Sequence, residues 1–493
     1  MSKTHYNAQS TLPIQQNYIN GRYINNQSGE TFSTVHPGNG HVICEVESAG
    51  QSEVDLAVES AAEAYKAWSV MPAVERGRII RRAAEICRER KQELAELETL
   101  DTGKPIAETV DFDIIGGLEV MEYYAGIAPS IQGSHIDQPP EAFAIMRREP
   151  IGVCVGIGAW NYPVQIAMWK SGPALACGNT MVFKPAEQTP LTTLKLAEIY
   201  TEAGLPDGVF NVVQGARETG SALISHANVA KVSLTGSVET GKAVMSHSAQ
   251  DLKKVTLELG GKSPVIIFDD ADMNNAINGA LAANFYSSGQ ICSNGTRVYV
   301  HEKIYDDFVE QIAERTKAIK LGNPFNPATQ MGPLVSQEHY NKVVDFMSAA
   351  KSSSARHVCG GESSEGENGF FVSPAVFADC EDQHEFVQNE VFGPLMAVLP
   401  FSNEQEVLAR ANNTDYGLAG AVFTQNFARA HRVANAIQAG VVWINEYNVT
   451  SPQIPFGGYK QSGIGRENGL QAIEHYTQTK TIYANLGDVE SFY

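Results

Sequence analysis

From Ile151 onward the chain alternates short β-rich runs with helical ones, and this alternation restricts the fold more than any other feature of the sequence. Expected strands are Val153–Ile157, Met181–Phe183, Val209–Val213, Val229–Leu234, Val255–Leu257 and Val265–Phe268, with helical runs between most of them. Short apolar strands separated by helices bury both sheet faces when the sheet is parallel and wound on both sides, so the expected class is α/β, doubly wound. A second α/β set begins after Asp269, with strands at Arg297–His301, Ala397–Phe401, Gly420–Phe423 and Val441–Ile444. At 493 residues the chain exceeds one simple core, and two or three domains are expected.

The N-terminal third reads differently. Residues 1–16 are polar and are expected to be disordered or loosely attached. Tyr18–Ile24 is a hairpin signal, with Asn20-Gly21 suited to a type I′ turn. A helix follows with Ser52 as its expected cap and Asp55 three residues on, and Pro72 interrupts it. A second long helix carries Ile79 to Leu97 at helical spacing and stops near Gly103 and Pro105. Two segments stand apart from the main sheets, 133–150 and 477–493, each with β character. Ser352–Asn368 is a polar surface insertion.

Charge excludes some functions. Lys and Arg number 36 against 56 Asp and Glu, a net charge of −20, which argues against a nucleic-acid binder. The seven cysteines are odd in number and show no CxxC spacing, so a reduced cytoplasmic protein without disulfides or a zinc knuckle is expected. The N-terminus lacks an apolar core of the secretory type, and no apolar run suits a membrane helix.

Two stretches carry the chemistry. Glu258-Leu-Gly-Gly-Lys-Ser-Pro264 puts a carboxylate at the end of a strand, and Ser288-Gly-Gln-Ile-Cys292 puts a thiol just beyond a helical run. As thiolate, Cys292 can attack a carbonyl-type carbon, and Glu258 can activate the water that releases the product. A lone cysteine is more often a small buried apolar residue, and a strand-end carboxylate is often a surface ion pair. Gly260 and Gly261 suggest close backbone approach to a ligand or to Cys292. Gly156-Ile-Gly158-Ala-Trp-Asn161 follows a strand but lacks the last glycine of a dinucleotide fingerprint. Gly236-Ser-Val-Glu-Thr-Gly-Lys242 nearly matches a phosphate loop, yet Ala243 replaces the hydroxyl that would hold magnesium. A helix N-terminus there can still hold a pyrophosphate.

The ELGGKSP and GQICSNGTR blocks resemble the signatures of the aldehyde dehydrogenase superfamily, and the likeness runs from the first hairpin to the last thirty residues. Within it the chain is most similar to the bacterial betaine aldehyde dehydrogenases. The resemblance implies an NAD-binding domain (1–132, 151–268 and 448–476), a catalytic domain (269–447) and a β oligomerisation extension (133–150 and 477–493). A homo-oligomer, dimer or tetramer, is implied with it; two plain edge strands are the alternative. It makes Cys292 the nucleophile and Glu258 the general base, with the oxyanion held by the Asn161 amide and the Cys292 backbone N–H. Lys170 and Glu467 become a proton path, or else a structural salt bridge.

For the cofactor, NAD with NADP possible, the resemblance places contacts at Gly158, Ala159 and Trp160. It adds Lys184, Pro185, Ala186 and Glu187 on the adenosine side, where the carboxylate suits two ribose hydroxyls and repels a 2′-phosphate. Gly236, Ser237, Val238, Glu239 and Thr240 would meet the pyrophosphate. Gly260, Cys292, Glu390 and Phe392 would lie on the nicotinamide side. Potassium is implied through Thr34, Val35, Asp101 and Gln188, and around Leu252, Lys460 and Gly463.

Tyr162, Trp169 and Tyr447 are candidates to box a trimethylammonium group by cation–π attraction, and core packing is their alternative. Tyr447, preceded by Glu446, departs from the relatives, which more often carry Trp there. The implied reaction is oxidation of betaine aldehyde to glycine betaine, as in osmoprotectant synthesis from choline. An ω-aminoaldehyde or broad-specificity dehydrogenase is the runner-up, and a non-catalytic member would be expected to lack Cys292 or Glu258.

Overall fold

The structure, a computed structural model, describes residues 5–364 and 369–493. Its first sheet has eight strands in the order 463–464, 254–258, 229–235, 153–157, 180–184, 210–212, 17–19 and 22–24. The five from 254–258 to 210–212 are parallel. Numbered along the chain, they run 5-4-1-2-3, the doubly wound order, with the reversal between 153–157 and 229–235. Apolar residues coat both faces. The helices 73–89, 115–127 and 163–176 cover one, and 51–68, 217–225 and 238–248 contribute to the other.

The second sheet has seven strands in the order 356–359, 375–378, 395–401, 297–301, 264–267, 419–423 and 441–444, of which only 356–359 is antiparallel. The strand expected at Val265–Phe268 belongs here, and this is a correction. Pro264–Ile267 pairs with 297–301 and 419–423, not with the first sheet. The chain therefore changes sheets within Leu259–Ser263, ahead of the expected boundary at 268.

Other local expectations shift for identifiable reasons. Residues 5–16 are tied down: Tyr6 N donates to Glu96 at 2.9 Å, Leu12 N to Ile43 O at 2.9 Å, and Gln15 bridges to Val46. Residues 1–4 lie outside the described residues. The first helix starts at Gln51 rather than after Ser52, because Glu53 reaches back to the Gly50 N–H at 2.8 Å. The second long helix is two, Ala73–Glu89 and Lys91–Thr102, parted at Arg90. The 352–368 insertion contains the strand Arg356–Cys359, and its residues 365–368 lie outside the described residues. The hairpin turn is as expected, with φ of 53° at Asn20 and 74° at Gly21.

Residues 134–138, 142–150 and 477–485 form a separate three-stranded antiparallel sheet, with nine register pairs between the last two. One buried side chain holds its root. The Asn179 carbonyl oxygen accepts from Ile151 N at 2.7 Å and Gly152 N at 3.1 Å, where the chain leaves this sheet. Its amide donates to Tyr476 O at 2.8 Å, where the chain re-enters. Asn179→Ala would leave these groups unpaired, a cost of about 3 kcal/mol. We expect hydrogen exchange in 142–150 and 477–485 to accelerate about 100-fold, with helix 273–285 unchanged. Unchanged protection in both strands would refute the clamp.

Candidate functional site

The site lies where the two sheets meet. Glu258 is the last residue of a parallel strand in the first sheet, and Pro264 is the first of a strand in the second. Gly261 passes so close to the nucleophile loop that an added Cβ would lie 2.5 Å from Cys292 O, and one on Gly260 would lie 2.2 Å from Glu390 Oε2. Those contacts explain the glycine pair.

Cys292 follows helix Met273–Phe285 and a tight turn in which Ser287 (φ 50°), Ser288 (φ 56°) and Gly289 (φ 75°) are all left-handed. Of the seven free cysteines it alone is not fully buried. Burial pushes its thiol well above the usual value, and the Glu258 and Glu390 carboxylates push it further. The Asn161 amide donates to Gln290 O at 3.0 Å. That bond aims the group at the Cys292 loop and leaves its second N–H free to meet an oxyanion.

Glu258 is buried, and its Oε2 has no hydrogen-bond partner among the described residues. Desolvation raises its carboxyl well above the usual range, Glu467 adds to the rise, and Lys170 and Arg466 oppose it. Lys170, fully buried, is ion-paired with Glu467 and also donates to Ser233 Oγ at 3.2 Å. The polar chain continues, since Thr256 Oγ1 donates to Ser233 Oγ at 2.9 Å and Lys231 Nζ to Thr256 Oγ1 at 2.9 Å. Burial brings Lys231 down to about 7.

The expected cofactor residues gather at the C-terminal ends of the first sheet, beside the reversal of strand order, where doubly wound sheets bind ligands. Gly158 donates to Lys184 O at 2.9 Å, and Gly236 to Glu258 O at 3.0 Å. Ser237 caps helix Val238–Ser248 by accepting from Thr240 N, so the sequence Gly236 to Thr240 presents a helix N-terminus. Lys184 Nζ lies 3.8 Å from Glu187 and donates to Pro185 O and Gly215 O. Glu187 is partly exposed. Across the cleft Glu390 accepts from Gly261 N at 2.9 Å. Trp160 packs edge-on to Phe392, ring centroids 5.1 Å apart, and His339 Nε2 donates to Phe392 O at 2.7 Å. Burial pulls His339 down to about 4, and the bond to a carbonyl oxygen fixes a proton on its Nε2. It gave no sequence signal.

The aromatic candidates separate. Tyr162 and Trp169 are half-buried beside the first core. Tyr447 is not with them: it is buried in the second core, tilted against Trp443 with ring centroids 4.8 Å apart, and its hydroxyl donates to Ser293 O at 2.6 Å. It supports the Cys292 loop from beneath. The ring facing Trp169 is Phe456, 5.7 Å away and edge-on, and Phe456 pairs backbone to backbone with Glu467. Tyr286 is the other ring the sequence reading missed; it lies near Tyr162 and meets Phe112 at 5.4 Å.

Of the cation candidates, Thr34, Asp101 and Gln188 converge. Thr34 Oγ1 lies 3.2 Å from Asp101 Oδ1 and 3.5 Å from Gln188 O, and Val35 adjoins them on the strand 31–35. Asp101 is fully buried and pushed up to about 8 by desolvation. The second set does not converge within one chain. Leu252, 90% exposed, precedes strand 254–258, whereas Gly463 pairs with Glu258 at that strand's far end. Lys460 points its amine at Asn412 O and Thr414 O.

Comparison with known proteins agrees with this architecture. The profile of the Aldehyde dehydrogenase family matches residues 23–482. The NAD+ complex of an aldehyde dehydrogenase from Bacillus cereus is 44% identical, with a TM-score of 0.94 over 96% of this chain and 97% of that one. Betaine aldehyde dehydrogenase from Staphylococcus aureus in complex with NAD+ is 40% identical, with a TM-score of 0.95 over 97% and 96%. PnpE from Pseudomonas sp. WBC-3 is 42% identical, with a TM-score of 0.95 over 97% and 99%. With the Cys292–Glu258–Asn161 constellation at the junction of two α/β sheets and a family match over almost its whole length, this chain belongs to the aldehyde dehydrogenase family.

Proposed function

We propose that the protein oxidises betaine aldehyde to glycine betaine with NAD, through a thioester on Cys292. The observation that carries the chemistry is the meeting of Cys292, Glu258 and the Asn161 amide at the open end of the doubly wound sheet. The residues present fit a dinucleotide: a helix N-terminus at Gly236–Thr240, a partly exposed Glu187 for a ribose, and Glu390 beside Gly260 on the other side. The Glu187 carboxylate disfavours a 2′-phosphate, so NAD is preferred over NADP. When bound, the nicotinamide accepts the hydride from the substrate carbon.

The chain supplies the rest. Cys292 attacks the aldehyde carbon as thiolate. Asn161 Nδ2 and the Cys292 N–H hold the oxyanion, and loss of one such donor costs about 3–4 kcal/mol of transition-state stabilisation. Glu258, whose carboxyl burial raises above its usual value, takes a proton from the water that opens the thioester. Lys170 and Glu467 pass that proton away from Glu258. Potassium is proposed at Thr34, Asp101 and Gln188, an all-oxygen set suited to a hard cation. The three-stranded sheet, which exposes Ile136, Ile145, Ile482 and Tyr483, is proposed as the surface of a homodimer or homotetramer.

The substrate assignment rests on Tyr162 and Trp169 together with Phe456 and Tyr286, rings that can surround a cation at about 0.5–2 kcal/mol each, and on the likeness to the Staphylococcus aureus protein. Initial rates of NADH formation with betaine aldehyde should exceed those with 3-aminopropionaldehyde, 4-aminobutyraldehyde and an uncharged aldehyde of similar size. A higher kcat/KM for the primary amines would move the assignment to an ω-aminoaldehyde dehydrogenase.

Cys292→Ala should abolish NADH formation, and retained activity would end the thioester mechanism. Glu258→Gln should keep a single-turnover burst of NADH while steady turnover falls at least about 100-fold; hydrolysis at the wild-type rate would remove Glu258 as the base.

The thiol titration gives a test without substrate. The Glu258 charge raises the Cys292 thiol, so its removal must lower it. Alkylation of Cys292 by iodoacetamide, followed against pH, should therefore have its midpoint at lower pH in Glu258→Gln than in the wild type. An unmoved midpoint would show that the two groups are not coupled.

A further inference from the structure

Beneath the site lies a set of ionisable groups that the mechanism does not use. Lys104, 3% exposed, donates to Asp113 at 2.6 Å, and Asp113 is fully buried. Glu98 and Glu108 are also buried, and the two are pushed up to about 8 and about 7 by desolvation. Three carboxylates around one ammonium, all out of water, are a poor way to stabilise a core; apolar side chains of the same volume would serve as well or better. What these groups hold is informative, because Lys104, Glu108 and Glu98 each also contact a segment of the site.

Lys104 Nζ donates to the backbone carbonyl of Asn161 at 3.2 Å and sits 3.4 Å above the Tyr162 ring. Glu108 accepts from Ser287 twice, from Oγ at 2.8 Å and from N at 3.3 Å. Ser287 opens the run of left-handed residues that delivers Cys292, and left-handed backbone at a non-glycine residue persists only where its surroundings enforce it. The Tyr162 and Ser287 hydroxyls lie 3.2 Å apart, joining the two contacts. Glu98 accepts from Val164 N at 3.4 Å, in the first turn of helix Pro163–Ala176 directly after Asn161 and Tyr162.

We propose that Lys104 and Glu108 are positioning residues for the reaction. Lys104 fixes the Asn161 amide through its carbonyl, Glu108 fixes the turn that carries Cys292, and together they set the gap between the oxyanion donor and the attacking sulfur. This rests on the thioester reading above. A displacement of the order of 1 Å between reacting groups costs about 100-fold in rate, so partial release should be felt in the chemical step and hardly at all in cofactor affinity.

The test compares Glu108→Leu, Glu108→Gln and Lys104→Met with the wild type by stopped-flow NADH formation, with NAD affinity and thermal unfolding measured in parallel. Expected for Glu108→Leu and Lys104→Met is a burst rate down about 30-fold, with the KM for NAD within about twofold of wild type. Glu108→Gln keeps an acceptor for the Ser287 N–H and should recover to within about threefold. Should Glu108→Leu fail to fold, Lys104→Met and Glu108→Gln still decide. Folded variants with wild-type burst rates would overturn the proposal, as would Glu108→Gln falling as far as Glu108→Leu. A wild type that forms no NADH from any aldehyde would instead remove the thioester reading itself.

Discussion

Everything at the site depends on a crossover of five residues, Leu259–Ser263, between a strand of one sheet and a strand of the other. So short a link cannot wander, and nearly every residue in it has a named partner. Leu259 N donates to Ser462 O at 2.9 Å, and Ser462 Oγ donates to Gly260 O at 2.7 Å. Gly261 N donates to Glu390, and Lys262 O accepts from buried Arg297 at 2.9 Å. Ser462 also accepts from Gly417 N at 2.9 Å, so one buried hydroxyl ties the crossover to the second sheet. Glu258 at one end and the strands beneath Cys292 at the other are thereby held in one frame, which is what preorganised chemistry needs.

The same closeness sets the electrostatics. Glu258, Glu390 and Cys292 are three acid groups in a poorly solvated space, and burial raises all of them. Charge near the thiol is therefore unfavourable until a substrate carbon shares it. The compensating cations stand one step back. Lys170 is paired with Glu467, and Lys231 lies at the end of a hydroxyl chain through Thr256 and Ser233. Positive groups at that remove can accept or return a proton without occupying the place where the aldehyde must sit.

Much of this was legible in the sequence, and the failures have physical reasons. Strands such as Val153–Ile157 and Arg297–His301 were readable because both faces are buried and every residue is apolar or packed. The sheet of Pro264–Ile267 was not, because an apolar parallel strand looks the same in either sheet and only its neighbours decide. Glu258 and Cys292 stood out through glycine-rich surroundings. Ser462, Asn179 and Glu108 did not, because their importance lies in partners 202, 297 and 179 residues away. Phe456 went unread for a similar reason: like Tyr447 it follows the last strand of the second sheet, and only packing shows which ring meets Trp169. The split of Leu252 from Lys460 and Gly463 likewise depends on strand direction, since backbone carbonyls carry no signature in residue type.

The proposed substrate rings and the proposed proton path share four positions. Trp169 and Lys170 are consecutive on one helix, and Phe456 and Glu467 are paired across an isolated bridge, Phe456 N donating to Glu467 O at 2.7 Å and Glu467 N to Phe456 O at 2.8 Å. The ring contact between Trp169 and Phe456 therefore runs alongside the ion pair between Lys170 and Glu467. A change of ring size at either aromatic position must be absorbed by the helix or by the bridge, and each of these carries one partner of the ion pair. Since Glu467 also acts on the charge state of Glu258, in the reaction proposed above a substitution at either ring would reach the step assigned to Glu258. Under that proposal the choice of aldehyde is linked to the rate of product release, with no contact between the aldehyde and the proton path required.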